Sequence, residues 1–349
     1  MSKHRYLTTS VALLALFSLL LIVACNPDSP QSTFDARGPV AQSQLLLYWI
    51  IFWIALVIFV IVGGGLLYAV IRFRRRPGQG IPEQTHGNTK LEILWTVIPA
   101  IMLAVLAVPT VLTQFYVSNT PSGDKLEINV TAHQWWWEIE YPDSGVVTAN
   151  ELHVPVGTVV EVDLTSGDVL HSFWVPKLAG KMDIFPGKIT SMWFSADEVG
   201  EYFGQCAEFC GESHAWMKFR VFADTPAEFE AWKESQLAEA KQAATPEETQ
   251  GAALFLNKGG IACHTISGVP AAAGIIGPDL SHLGSRTTMG AGIMEMNADN
   301  LREWLADPNE FKPGNIMSNS DLSLPYNNPN FALSSGDIDN LVTYLQSLK

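Results

Sequence analysis

Cys206, Cys210, His214 and Met217 fall within twelve residues and read C-x-E-x-C-G-x-x-H-x-x-M. Two thiols, an imidazole and a thioether make up the ligand set that soft, thiophilic copper prefers. The two cysteines lie close enough on one loop for their sulfurs to bridge two metal ions, with His214 and Met217 capping the pair. A disulfide is a second reading, since a C-x3-C pair outside the cytoplasm can close on itself. Zinc is a third, but zinc takes Cys and His sets and has little use for Met217. Neither alternative explains why His and Met follow at these intervals, so copper is favoured. A metal held by a short loop needs rigid support, which a β-sandwich with its loops gathered at one end supplies.

The loop resembles the dinuclear copper (CuA) loop of cytochrome c oxidase subunit II, and the likeness runs from about Leu45 to Ala223. Asp168-Val-Leu-His171-Ser-Phe-Trp-Val-Pro176 is similar to the segment that gives that family a further histidine. The resemblance implies copper ligation by His171, Cys206, Cys210, His214, Met217 and the backbone carbonyl of Glu208. It also implies that the Glu208 side chain holds a magnesium ion shared with subunit I. The run His133-Gln-Trp135-Trp136-Trp137-Glu-Ile-Glu-Tyr141 is similar to one carrying an aromatic residue through which electrons enter, by position Trp135. Glu92, in His86-Gly-Asn-Thr-Lys-Leu-Glu-Ile-Leu-Trp95, falls by position near a proton-uptake entrance beside subunit I. Without the resemblance it is an acid solvated at the membrane interface.

The elements that must position these groups begin with a membrane anchor. Residues 1–24 read as a secretion signal: Lys3, His4 and Arg5 precede an apolar run from Val11 to Ala24. That run falls short of the ~20 residues needed to span a bilayer comfortably. Ile22-Val23-Ala24-Cys25 resembles a bacterial lipobox, so cleavage before Cys25 and lipid attachment to its thiol are expected; an ordinary signal with an incidental cysteine is the alternative. Residues 25–44, polar and rich in Pro, Ser and Gln, read as an external tether.

Leu45–Ile71 and Ile93–Val117 contain no charged residue. Each can cross a hydrocarbon core of ~30 Å at about 1.5 Å per residue. Arg72, Arg74, Arg75, Arg76 and Lys90 lie between them, whereas residues 26–44 hold only Arg37. The asymmetry puts loop 72–90 in the cytoplasm. Residues 45–117 are thus a two-helix transmembrane hairpin in a bacterial plasma membrane, with everything larger on the external, periplasmic side. Pro99 is expected to bend the second span.

Residues 118–224 turn to period-two alternation in Leu126–Thr131, Val159–Leu164 and Met217–Phe222, with Gly, Pro and Asp turns between. Short strands at this spacing predict an all-β Greek-key sandwich, and the resemblance implies a cupredoxin-like one. Three adjacent tryptophans cannot all face inward along a strand. Trp136, or Trp135 and Trp137, must therefore meet solvent, the membrane surface or a partner. Asp168, Glu138 and Glu140 would form an acidic rim attractive to a cationic donor.

Thr225-Pro-Ala-Glu228 starts a linker helix over 225–244 by capping-box logic, and Thr245-Pro-Glu-Glu248 repeats the signal at the head of a final domain, 245–349. Cys263-His264, Gly277-Pro-Asp-Leu280, Leu301–Ala306, Lys312-Pro-Gly-Asn-Ile-Met317 and a closing helix from Asp337 to Leu348 together resemble an all-α class I cytochrome c. Covalent haem attachment reads C-x-x-C-H, with the histidine and a distant methionine on the iron. His264 and Met317 fit those roles. Gly260 stands where the first cysteine belongs, so only Cys263 can form a thioether; a haem c held by that one bond is expected, with a haem held without a covalent bond, or a lost haem, as the alternatives.

The formal charge of -14 argues against nucleic acid as a partner and suits a basic one. Cys25, Cys206, Cys210 and Cys263 are all assigned, which leaves no structural disulfide framework. The expected function is that of subunit II of a proton-pumping, caa-type cytochrome c oxidase. It would accept electrons through haem c and CuA and pass them to subunit I for oxygen reduction. Partners would be subunits I and III, an electron-donor complex or cytochrome, and membrane lipid. The copper subunit of a nitric oxide reductase and a stand-alone membrane electron carrier are the alternatives. Two spans and a fused haem domain argue against nitrous oxide reductase, and the copper ligands against a quinol oxidase. Intact-mass measurement should find the mature chain starting at a lipid-modified Cys25; an unmodified Cys25, or another start, removes the lipoprotein reading.

Overall fold

The computed structural model describes residues 29–318 and 332–349, except positions 76, 79, 82 and 85. Cys25 and the signal segment lie outside the described residues. Two long helices come first, α1 (Pro39–Arg72) and α2 (Thr89–Ser118). Their apolar side chains are exposed along both spans, as lipid-facing or partner-facing surfaces must be. Asn88 caps α2, its side-chain oxygen accepting from the amides of Lys90 and Leu91, and Glu92 sits exposed in the first turn at the positive end of the helix dipole. Pro99 and Pro109 both lie inside α2.

The first helix starts at Pro39, earlier than the uncharged run that begins at Leu45. Proline at the first helical turn, not hydropathy, sets the boundary. The described part of the expected tether also lies along the sandwich. Asp35 pairs with Arg37 at 2.6 Å and Lys177 at 2.7 Å, Arg37 reaches Glu198 at 2.5 Å, and Val40 and Ala41 are buried. At the other end of the hairpin, Tyr116 packs edge-on against Trp193 with centroids 5.5 Å apart.

Ten strands form the sandwich: β1 (Leu126–His133), β2 (Trp136–Tyr141), β3 (Val146–Ala149), β4 (Glu151–Pro155), β5 (Val160–Ser166), β6 (His171–Trp174), β7 (Met182–Ile184), β8 (Thr190–Phe194), β9 (Gly200–Cys206) and β10 (Lys218–Asp224). One sheet runs β3-β2-β1-β5-β8 and the other β4-β10-β9-β6-β7. The β1–β5 and β4–β10 pairs are parallel and the others antiparallel, a mixed order typical of crossed-over sandwiches. Alternating residues fill the space between the sheets, Ile128, Val130, Val160, Val162, Leu164 and Val221 among them. At one end Trp137, Phe173 and Phe219 meet with centroids 4.5–5.6 Å apart, forming an aromatic floor.

Helix α3 (Pro226–Leu237) starts with the expected Thr225/Glu228 capping box, but it packs on the sandwich instead of standing free as a linker. Phe229 and Trp232 cover Tyr141, and His153 stacks between Phe222 and Trp232. An aromatic pair on an otherwise polar helix was enough to dock it.

The last domain is built on α4 (Pro246–Asn257) crossing α7 (Ser335–Ser347), with α5 (Ala298–Ala306) against α7 and a short α6 (Pro308–Phe311). A two-residue ribbon, β11 (Thr288–Met289) with β12 (Met294–Glu295), interrupts the helical pattern. Phe255, Leu301, Leu305, Leu341 and Leu345 form its core.

Tyr141 links the sheets through one hydroxyl, which donates to the His153 carbonyl at 2.8 Å and accepts from the His153 amide at 2.9 Å. Tyr141→Phe should therefore destabilise the sandwich by about 1–3 kcal/mol, measured by denaturant unfolding, because it leaves both backbone groups unpaired. A change within error would show that water replaces the hydroxyl.

Candidate metal centre and adjoining cavity

Three connections meet above the aromatic floor: β1–β2, β5–β6 and β9–β10. Pairing of Phe173 with Cys206 sets His171, at the head of β6, beside the end of β9. The β9–β10 loop is closed at its neck, with the Cys206 amide donating to the Met217 carbonyl at 2.9 Å and the Ala207 amide to the Ser172 carbonyl at 3.0 Å. This neck brings together every sequence-predicted ligand atom. Cys206 Sγ lies 3.8 Å from Cys210 Sγ, 3.8 Å from His171 Nδ1 and 3.2 Å from the Glu208 carbonyl. Cys210 Sγ lies 3.5 Å from His214 Nδ1 and 3.8 Å from Met217 Sδ. The cysteines are free thiols, not a disulfide.

Burial and charge favour a cation here. His171, Cys206, Cys210 and Met217 are buried. The neighbouring Cys210 thiol, with help from His171, holds the Cys206 thiol far below its ordinary range against the opposing effect of burial. The same contact, with burial, pushes Cys210 up. The first thiol proton thus leaves easily and the second does not, unless a metal replaces it. His171 Nε2 bonds Asp168 Oδ1 at 2.8 Å. Burial pulls His171 down, but Asp168 and Cys206 outweigh it and leave its imidazole raised. Burial likewise pushes Asp168 up, while His171 and the amides of Val169 and Gln134 bring its carboxyl below the usual range. Asp168 is thereby committed to orienting His171, not to a free acidic rim.

Beside this cluster lies a cavity of about 240 Å³ whose walls come from both domains. His264, Met317 and Cys263 line it from the C-terminal side, and Trp135 and Trp136 from the sandwich. His264 Nδ1 donates to the Pro278 carbonyl at 2.8 Å, which fixes the tautomer and leaves Nε2 as the basic nitrogen. Burial lowers the His264 pKa, keeping the ring neutral, as a ligand must be. Arg286 also lines the cavity: one terminal nitrogen of its guanidinium donates to the Asp279 carbonyl at 2.7 Å, while Nε is buried and unpartnered among the described residues. A buried guanidinium with an N–H to spare, beside an apolar, His- and Met-bearing space, fits a flat, apolar group that carries carboxylates, such as haem. At Gly260 a Cβ would fall 2.4 Å from the Phe255 ring, so the place of the missing first cysteine is filled by that ring.

Trp135, Trp136 and Trp137 are 7%, 9% and 0% exposed. All three are inside, which alternation along a strand does not allow. Trp135 precedes the strand, and Trp136 is covered by Ala291 of the C-terminal domain. The Trp135 indole N–H donates to the Cys210 carbonyl at 3.0 Å. Its ring lies between Gly211 of the sulfur loop and Gly314 of the Met317 loop, where added Cβ atoms would sit 3.1 and 3.2 Å from it.

Other contacts join the two domains. The buried Glu151 carboxylate accepts from the amides and hydroxyls of Thr287 and Thr288 at 2.7–3.2 Å. Arg220 donates to the Gly292 carbonyl at 3.1 Å, and Ser213 to that of Pro313 at 2.6 Å. Lys312 Nζ donates to the carbonyls of Trp135 and Gly290. Sequence reasoning missed Arg286 as a cavity residue, and Glu151 and Lys312 as contacts between the domains, because nothing local marks a charge that will be buried by a distant segment.

The chain matches the family described as cytochrome c oxidase subunit II, periplasmic domain, over residues 145–223. It matches the transmembrane domain of the same subunit over residues 29–112, and cytochrome c over residues 248–349. It is 38% identical over 344 residues to cytochrome c oxidase subunit 2 of Alkalihalophilus pseudofirmus, with 95% of each chain covered. It is 40% identical over 356 residues to the protein of that name from Bacillus sp. strain PS3, with 97% of each covered. Among solved structures it is similar to the periplasmic domain of subunit II of cytochrome oxidase from Bradyrhizobium japonicum. That pair is 34% identical, with 34% of this chain and 96% of the other covered and a TM-score of 0.33.

Asp168→Asn should weaken copper binding by about 10–100-fold in a chelator competition, because His171 loses the carboxylate that orients it. Unchanged affinity would remove Asp168 from that role.

Proposed function

Because this chain belongs to the cytochrome c oxidase subunit II family and carries a fused cytochrome c domain, we propose that its sulfur cluster holds a dinuclear CuA centre, its cavity a haem c, and that Trp135 joins the two. The chain is the electron-accepting subunit of an oxidoreductase complex and works beside subunit I. It is anchored by two membrane helices, with both redox domains external. One observation carries the reading. A single side chain, Trp135, forms part of the cavity wall and donates directly to the backbone of a sulfur ligand.

When bound, the copper pair and the haem supply reversible one-electron chemistry. Cys206, Cys210, His171, His214, Met217 and the Glu208 carbonyl would hold the copper pair. The closed loop neck, the Asp168–His171 bond and the aromatic floor hold these atoms still, so little rearrangement accompanies a change of charge. His264 and Met317 would ligate the haem iron, Arg286 would pair with a haem carboxylate, and Cys263 would form a single thioether. Phe255 supports that last assignment, since it occupies the space a second attachment would need.

Glu208 and Phe209 are exposed on the outer face of the sulfur loop, Phe209 at 73%. That face is assigned to subunit I, with a magnesium ion on the Glu208 carboxylate. Exposed Glu92, in the first turn of α2, is assigned to the proton-uptake side of the same partner, which would couple oxygen reduction to proton translocation. Subunit III and a separate electron donor complete the assembly. Trp135 is too enclosed to meet that donor directly, so the donor docks on the cytochrome domain. A lipid on Cys25 would add a further membrane attachment.

Purified with subunit I, the complex should lose the copper pair of this chain in the Cys206→Ser/Cys210→Ser double variant, while haem and the copper of subunit I stay. A copper content unchanged by both substitutions overturns the cluster assignment. The pyridine haemochrome should absorb like a haem with one vinyl group left. Gly260→Cys alone should leave that spectrum unmoved, and adding Phe255→Ala should shift it to the doubly attached position. A second thioether in the single variant would show that Phe255 does not block the site.

A further inference from the structure

Lys312 begins the loop that carries Met317, and only 4% of it is exposed. Its ammonium donates across the domain boundary to the Trp135 carbonyl and, within its own domain, to the Gly290 carbonyl at 2.9 Å. Neighbouring atoms hold the same loop in place. The Asn315 side chain donates to the Lys312 carbonyl at 2.7 Å, and Ser213, next to His214, donates to the Pro313 carbonyl at 2.6 Å. One short loop is thus fastened both to the tryptophan and to the sulfur loop.

A cation is an expensive choice at such a place. No carboxylate lies within ion-pair distance of Lys312 among the described residues. Burial pulls its ammonium down to about 7, opposed in part by the nearby Cys210 sulfur. Buried charges satisfied by neutral groups contribute little net stability, and an apolar side chain of similar length often does as well. What methionine cannot supply is a pair of directed bonds to carbonyls in different domains. Glu151 and Arg220 also join the domains, yet neither bonds Trp135.

We propose that Lys312 is a positioning residue that fixes the Trp135 main chain against the Met317 loop and so sets the spacing between the cavity and the sulfur cluster. The inference rests on the reading of those sites as haem and copper sites. Lys312 touches neither metal's predicted ligands; it acts through Trp135. A fixed spacing matters because reactions between held groups lose rate steeply with small displacements.

The test uses the full chain in complex with subunit I, carrying both cofactors. Lys312→Met is compared with Glu151→Gln, which weakens the same domain boundary elsewhere. Hydrogen exchange in the resting oxidised complex should speed by about tenfold or more at residues 133–137 and 290–292 in Lys312→Met. Flash-triggered haem-to-copper electron transfer should slow by at least about tenfold in that variant, with copper and haem absorption spectra unchanged. Glu151→Gln should speed exchange at Thr287 and Thr288 and leave the transfer rate alone. Lys312→Gln, whose amide is one bond short of reaching both carbonyls, should behave like Lys312→Met and serves if the latter does not assemble. An unchanged transfer rate in the Lys312 variants, or an equal loss in Glu151→Gln, overturns the proposal. A parent complex that contains both cofactors and shows no transfer between them overturns instead the reading of the two sites.

Discussion

Two thiols held side by side away from water repel once ionised, and the whole open end of the sandwich is built to hold them together regardless. Cys206 and Cys210 sit 3.8 Å apart. Their loop is tied at the neck by strand pairing and floored by Trp137, Phe173 and Phe219, while His171 is turned toward them by Asp168. Each of these supports is a contact between protein groups, and together they hold the ligand atoms from several sides.

The second organising feature is that the sandwich and the cytochrome domain share their interior. A cavity wall made by Trp135 and Trp136 belongs to one domain, while His264 and Met317 on the facing wall belong to the other. The boundary is sealed by groups that are poor at floating free: a carboxylate saturated by two threonines, a guanidinium on a carbonyl, an ammonium between two carbonyls. Such groups bind only in one register, since a slipped interface would leave charges buried and unpaired. A tether raises encounter frequency; this interface makes encounter unnecessary.

Much of this was legible in the sequence. The ligand loop, the spans, the strand alternation and the capping boxes at Thr225 and Thr245 are local patterns, and local patterns survive into structure. The fate of the three tryptophans was not legible from alternation. Trp136 is buried because Ala291, far along the chain, lies over it. Asp168 read as one acid among several, and only its distance to His171 separates it from Glu138 and Glu140. Gly260 was visible as a departure from the attachment motif, but the Phe255 ring beside it comes from a contact that the motif does not show. What escaped was in each case a contact between segments that no periodicity connects.

The membrane hairpin meets the sandwich at both of its external ends. Arg37 and Asp35 clasp Lys177 and Glu198 just before α1, and Tyr116 rests on Trp193 near the end of α2. A body hung from one flexible point swivels freely; one mounted at two separated points keeps only the freedom of its support. The sandwich is therefore held to its own anchor at two separated points, so its orientation follows that of the hairpin. A partner in the same membrane then meets it in a narrow range of attitudes, and assembly of the oxidase becomes a search in two dimensions.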